Sequence, residues 1–178
     1  MMTSAEYKQL TAFAGIDGAL LSVLWIMSFA LTLGGLTVPF LGLAGNALMF
    51  VSPVFAFLRV RKFRDYARMG YISFGRAMMY SVVMFLYTSL IFALAQYIYF
   101  AYMDNGYMTG ALMKILDSEE MQTAANPYGM TTDQMKDMFG QMSQISPIEM
   151  ALNFMSVNVT IGIVFSLPIA LLVRRRPK

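Results

Sequence analysis

The chain contains no cysteine and no histidine among its 178 residues. Without cysteine there are no disulfides, no thiol chemistry, no thiolate metal ligands, no iron–sulfur ligation and no bacterial lipoprotein anchor. Without histidine the commonest general acid/base near neutral pH and the commonest metal ligand are missing too. Any enzymatic reading must rest on carboxylates, hydroxyls, lysine, arginine or tyrosine, and no cofactor is implied. Charge is also scarce, at 13% of residues against about a quarter in soluble domains. Hydrophobic residues make up 58% and mean hydropathy is +0.58. Lipid is therefore the expected solvent.

A hydrocarbon core of about 30 Å, crossed at about 1.5 Å per residue, needs about 20 mostly apolar residues. Four segments meet this length: 13–33, 40–60, 71–103 and 148–173. Gly34-Gly35 breaks the first from the second, and Val38-Pro39 restarts the chain. The second contains Pro53, tolerable where neighbouring helices satisfy the freed carbonyl. Met1 to Leu10 has one lysine and one glutamate, unlike the basic start of a secretory signal, so the first span is expected to be retained. The expected fold is an all-α membrane protein with four transmembrane helices in one domain, 1–178.

Lys and Arg set the expected orientation. Arg59, Arg61, Lys62, Arg64 and Arg68 sit between spans two and three, with Arg76 just inside span three. Arg174, Arg175, Arg176 and Lys178 follow span four. Two hairpins put both clusters on one face, which the positive-inside rule makes cytoplasmic, together with both termini. The basic residues also suit anionic headgroups, each contributing about 1 kcal/mol near an anionic leaflet. The pI of 9.2 arises from these signals, so no nucleic-acid partner is expected.

The segment 104–147 is the sizeable piece outside the spans, and it is acidic. Thr131-Thr132-Asp133-Gln134 has capping-box character. Met135, Met138, Phe139, Met142 and Ile145 then recur at helical spacing. A weaker amphipathic stretch, 109–121, precedes them, with Asn126-Pro127-Tyr128-Gly129 as the turn between. Two short amphipathic helices at the outer boundary are expected. Tyr97, Tyr99, Phe100 and Tyr102 fit an aromatic belt there, and Tyr66 and Tyr71 fit the opposite one.

Asp17 is the one acid expected within a span, where an ionisable group is a functional candidate by default. Its other reading is interfacial, neutralised by Arg76 or the basic connection. Asn46, Gln96 and Asn158 are the best candidates for an intramembrane polar cavity, although interhelical hydrogen bonds also explain such residues. Gly15, Ala19 and Ser22 on span one, and Gly42 and Gly45 on span two, form small-residue stripes for close packing. Methionine is abundant at 18 residues, and Met135, Met138 and Met142 have spacing compatible with Cu(I). The same spacing makes an apolar helix face, and with no Cys or His in support no metal site is expected.

The stretch Gly70-Tyr71-Ile72-Ser73-Phe74-Gly75-Arg76-Ala77, with the basic turn before it, resembles a family of small four-span bacterial inner-membrane proteins of unknown function. The likeness extends to Tyr97-x-Tyr99 followed by Asp104, and to the small-residue fourth span with its Arg tail. The resemblance implies an uncharacterised bacterial inner-membrane protein, with Gly70, Tyr71, Ile72, Ser73, Phe74 and Gly75 as motif positions and no established catalytic residue. It also implies an accessory role beside a polyprenyl-phosphate glycosyltransferase in lipid-linked glycan assembly.

Three functions stand as expectations. The first is a non-catalytic scaffold packing against a membrane-protein partner or a second copy. The second is a small transporter or flippase-like carrier lined by Asp17, Gln96 and the asparagines. The third is an enzyme on a lipid-linked substrate, using Asp104 with Glu149.

Overall fold

The computed structural model describes residues 2–118, 131–142 and 144–175. Among them are six helices and no strand: α1 Ser4–Gly34, α2 Pro39–Ala67, α3 Phe74–Tyr102, α4 Tyr107–Leu116, α5 Thr132–Met142 and α6 Pro147–Val173. The helices α1, α2, α3 and α6 are each long and apolar enough to cross a membrane. The chain is thus an all-α four-span membrane protein with a short helix pair between spans three and four.

Local chemistry sets the helix ends, and several lie beyond the apolar runs. The helix α1 starts well before residue 13 because Thr3 and Glu6 form a reciprocal capping box, with Thr3 Oγ1 accepting from Glu6 N at 3.2 Å and Glu6 Oε2 from Thr3 N at 3.0 Å. Pro39 opens α2, and the glycines Gly35 and Gly42 let the hairpin's backbones touch. The helix α2 continues to Ala67, so Arg59, Arg61, Lys62 and Arg64 lie on its last turns and not in a connecting loop. Met69 (φ 51°) and Gly70 (φ 83°) turn the chain, and Ser73 caps α3 by accepting from Arg76 N at 3.4 Å. The α3 start therefore falls at Phe74, later than its apolar run suggests.

Ser146 and Glu149 form a second capping box at α6, and Thr131 and Gln134 a third before α5. The helix α4 ends at Leu116, short of the expected 121. Lys136 of α5 meets Asp117 at 2.6 Å, and this hydrogen bond raises the lysine's pKa. The turn at 126–129 lies outside the described residues.

The spans pack laterally in the order α2–α1–α3–α6, through small residues. A Cβ on Gly18 would come within 2.6 Å of Met84 O on α3, and one on Gly162 of α6 within 2.6 Å of Phe85 Cβ. Between α1 and α2, Ser28 Oγ donates to Gly45 O at 2.8 Å and Trp25 Nε1 to Ser52 Oγ at 2.9 Å. The α1–α3 contact adds Thr88 Oγ1 donating to Gly18 O at 3.1 Å. At the termini, Arg64 Nη1 donates to Val173 O at 2.9 Å and joins α2 to α6.

Burial is sorted less by polarity than in a water-soluble bundle, although an apolar core from Leu10 and Leu21 to Phe85 and Phe92 is present. Ser22, Ser28, Ser52, Ser81, Thr88, Ser89 and Ser166 are buried, while Leu43, Phe50, Leu90, Leu94, Val164 and Leu172 are exposed. In lipid the apolar effect does not choose the inside, and close packing with hydrogen bonding does.

The expected stripe on α1 is displaced by one position. Ala14, Gly18 and Ser22 face the bundle, Gly15 rests half-buried on the Tyr87 ring, and Ala19 is exposed. Part of the expected aromatic belt also turns inward. Phe29 packs edge-on to Phe92, Tyr99 and Phe100, and Phe100 stacks with Phe154 of α6, whereas Tyr102 stays exposed.

Candidate functional site

The charged residues gather toward the face that carries both termini, in two layers. The deeper layer centres on Asp17 of α1, which is 2% exposed. It accepts from Arg59 of α2, with Nε at 2.7 Å and Nη2 also in contact, and from the Tyr80 hydroxyl of α3 at 2.5 Å. Tyr80 lies six residues beyond the α3 start, about 9 Å along the helix. Its ring packs at a tilt on Phe63, 4.6 Å between centroids, and Phe63 meets Phe13 at 5.5 Å. Asp17 is thus inside the bundle, neutralised by one arginine and capped by one phenol.

The outer layer holds Glu6, which accepts from Arg68 Nη2 at 2.7 Å and Arg76 Nη2 at 3.0 Å. Arg76 therefore serves Glu6, and Arg59 is the partner of Asp17. Arg64 pairs with Asp65 as well as with the Val173 carbonyl. Arg61 stays largely exposed near Asp65 at 3.8 Å, and Lys62 lies over the Tyr66 ring at 6.0 Å.

Beside the outer layer is a pocket of about 510 Å³ lined by Glu6, Ala67, Arg68, Met69, Tyr71, Ile72, Ser73, Arg76 and Arg175. Half of the motif positions therefore border it. Ile72 and Arg175 exchange backbone hydrogen bonds at 3.1 and 3.0 Å, which ties the end of the fourth span to the start of the third. Gly70 contributes its positive φ to the turn below. Phe74 is partly exposed, and a Cβ on Gly75 would meet nothing within 4 Å. Arg174 is exposed, and Arg176 lies outside the described residues.

The three amides do not come together as a cavity. Asn46 is exposed on α2, Asn158 is half-buried on α6, and Gln96 is buried on α3 at 3% exposure. No hydrogen bond among the described residues joins them. Gln96 Oε1 and Ser89 Oγ are buried with no partner among the described residues. The acids proposed for an enzyme are each occupied. Asp104 accepts from Tyr99 at 2.8 Å and from the Gly106 and Met108 amides, while Glu149 caps α6. Among the described residues no cluster of three acids could hold a metal. Met135 is buried and Met138 exposed, so they do not share an environment, and the Met142 side chain is outside the description.

Two partners went unread in the sequence. Glu6 carried a visible signal, the Thr3-x-x-Glu6 spacing of a capping box. Tyr80 carried only the general rule that a buried tyrosine hydroxyl finds an acceptor. No curated protein and no solved structure matches the chain. A family described as a protein of unknown function, DUF4199, matches residues 13–175, which takes in Asp17, Arg59, Tyr80 and the 70–75 motif. With nearly its whole length matched, the chain belongs to the DUF4199 family.

Proposed function

We propose that this protein is a non-catalytic membrane partner, which uses spans two and four to hold a helix of another envelope protein. The observation that carries the reading is the pair of exposed amides, Asn46 on α2 and Asn153 on α6. Each lies about 10 Å along its span from the end that faces the α4–α5 pair. An amide at that depth lacks water, and a neighbouring helix is what normally satisfies it. Ser156 and Thr160 are exposed on α6 too, but each donates to its own helix's carbonyl. Among the described residues neither asparagine has such a local bond.

The occupied state of Asp17 supports the same reading, because a proton-carrying acid needs a free position and an exchange path. The positive-inside distribution supports cytoplasmic termini in a bacterial inner membrane, which puts the two amides in the outer leaflet. The family resemblance supplies the partner class, an enzyme of lipid-linked glycan assembly such as a polyprenyl-phosphate glycosyltransferase. The carrier reading keeps one favourable observation, the unpartnered oxygens of Ser89 and Gln96.

A photo-crosslinking residue at position 46 or 153 in native membranes tests the scaffold. We expect adducts to one distinct membrane protein, with Leu90 and Leu171 as lipid-facing control positions. Adducts only to lipid or to a second copy would overturn the hetero-partner reading.

A further inference from the structure

The pocket at the termini-bearing face has a chemistry that the scaffold role does not use. Arg68 comes from just beyond α2, Arg76 from the first turn of α3 and Arg175 from beyond α6, so three separate segments contribute an arginine to the lining of one concavity. One carboxylate, Glu6, opposes them. Besides its capping bond from Thr3 N, it accepts from Nη2 of Arg68 and Nη2 of Arg76. Each guanidinium has five N–H donors, so among the described residues most of this donor capacity has no partner. Arg175 has no side-chain hydrogen bond among the described residues, although its backbone is fixed by the bridge to Ile72. Within the lining three positive charges stand against one negative, and Asp65, already paired with Arg64, lies in the field of Arg175.

The remaining lining is apolar or amphipathic: Ala67, Met69, Tyr71 and Ile72, with the Ser73 hydroxyl beside them. Met69 is 90% exposed, held outward by the positive-φ turn, and Tyr66 and Tyr71 are also exposed on this stretch. The pocket stands at the level where α3 begins, the plane expected for headgroups. An arginine-rich floor with an apolar rim at that plane suits a ligand that carries both phosphate and hydrocarbon.

We propose that this pocket binds the phosphate of an anionic lipid headgroup, with Arg76 and Arg175 as its main donors and the 69–72 turn resting against the first acyl carbons. Arg68 and Glu6 position Arg76, and Glu6 limits how much negative charge the site takes. Positive charge spread over the same face would give only a diffuse preference for anionic membranes. A built pocket instead gives a preference that depends on which arginine is removed.

The test uses the full chain in neutral detergent, with bound lipid counted by native mass spectrometry. The probes are phosphatidylglycerol, phosphatidylcholine and inorganic phosphate. Phosphatidylglycerol is expected to bind in preference to phosphatidylcholine. Arg175→Gln, which breaks no close ion pair among the described residues and only a longer-range attraction to Asp65, is expected to weaken it about fivefold, as one lost headgroup contact implies. Arg76→Gln should weaken it at least as much. Arg61→Gln removes equal charge from the exposed side of α2 and should change binding less than about twofold. Glu6→Gln keeps an acceptor for Arg76 while removing the opposing charge, so it should tighten binding, and weaker binding in that variant would overturn the charge-limiting role of Glu6.

Equal losses in Arg61→Gln and Arg175→Gln would overturn the pocket in favour of diffuse charge. Equal binding of phosphatidylcholine would overturn the phosphate-charge basis. Inorganic phosphate that displaces phosphatidylglycerol only at far higher concentration supports a lipid. Inorganic phosphate that binds as tightly as the lipid would reassign the site to a soluble anion.

Discussion

The Asp17–Arg59–Tyr80 centre makes an ordered prediction about stability, because its partners differ in burial. Asp17 has a side-chain exposure of 3% and Arg59 of 27%. Arg59→Gln leaves a carboxylate in the bundle with Tyr80 as its remaining donor, and the loss should be about 3–5 kcal/mol. Asp17→Asn leaves the arginine without its acid, but Arg59 sits about 12 Å along α2 from the Ala67 end, and its stem can carry the charge toward the headgroups. That variant should lose about 1–3 kcal/mol. The double variant removes both charges and leaves two amides within reach of each other, so it should be more stable than Arg59→Gln alone. Unfolding in mixed micelles with increasing dodecyl sulfate measures all three. Trp25, the single tryptophan, is 3% exposed and bonded to Ser52, so its emission reports opening of α1 from α2. Equal losses in the two single variants, or additive losses in the double, would refute this account of the ion pair. An Asp17→Asn protein as stable as the wild type would show a carboxylate free to do other work.

Glycine substitutions should divide by what their Cβ meets. Gly18→Ala drives a methyl into the Met84 carbonyl and should cost about 1–3 kcal/mol, while Gly75→Ala enters open space on the α3 first turn and should be neutral or stabilising by about 0.5–1 kcal/mol. The same micelle titration checks both. Thr131→Ala removes the α5 cap and should weaken that helix by about 1 kcal/mol, seen as faster hydrogen exchange across 132–142 with the four spans unchanged. A fluorescent reporter fused at the C-terminus should light up in the cytoplasm, and a periplasmic alkaline phosphatase inserted near residue 118 should be active. The reverse pattern would move the arginine pocket to the outer face.

The sequence made depth legible and left direction around each helix axis open. Apolar length located all four spans, and Gly34-Gly35, Val38-Pro39 and Thr131-x-x-Gln134 marked real breaks and caps. Each is a local signal that needs no tertiary partner. The faces were harder because the spans have little amphipathic contrast: many leucines look outward to lipid, and several serines and glycines look inward. A stripe chosen by residue size alone therefore landed on Gly15 and Ala19, one position from the Ala14–Gly18–Ser22 face that packs.

The partner of Asp17 was open for the same reason. Arg68 and Arg76 lie at the level of Glu6, whereas Arg59 shares the depth of Asp17, and the rotation of α2 against α1 turns it inward. That rotation is set by Gly45 against Ser28 and by Trp25 against Ser52, contacts between residues that are individually unremarkable in sequence. Asn46 shows the consequence most directly. At the same depth, a rotation of α2 by half a turn would have placed its amide inside the bundle as packing. The observed rotation puts it outside, where the proposed partner helix would be its hydrogen-bonding neighbour.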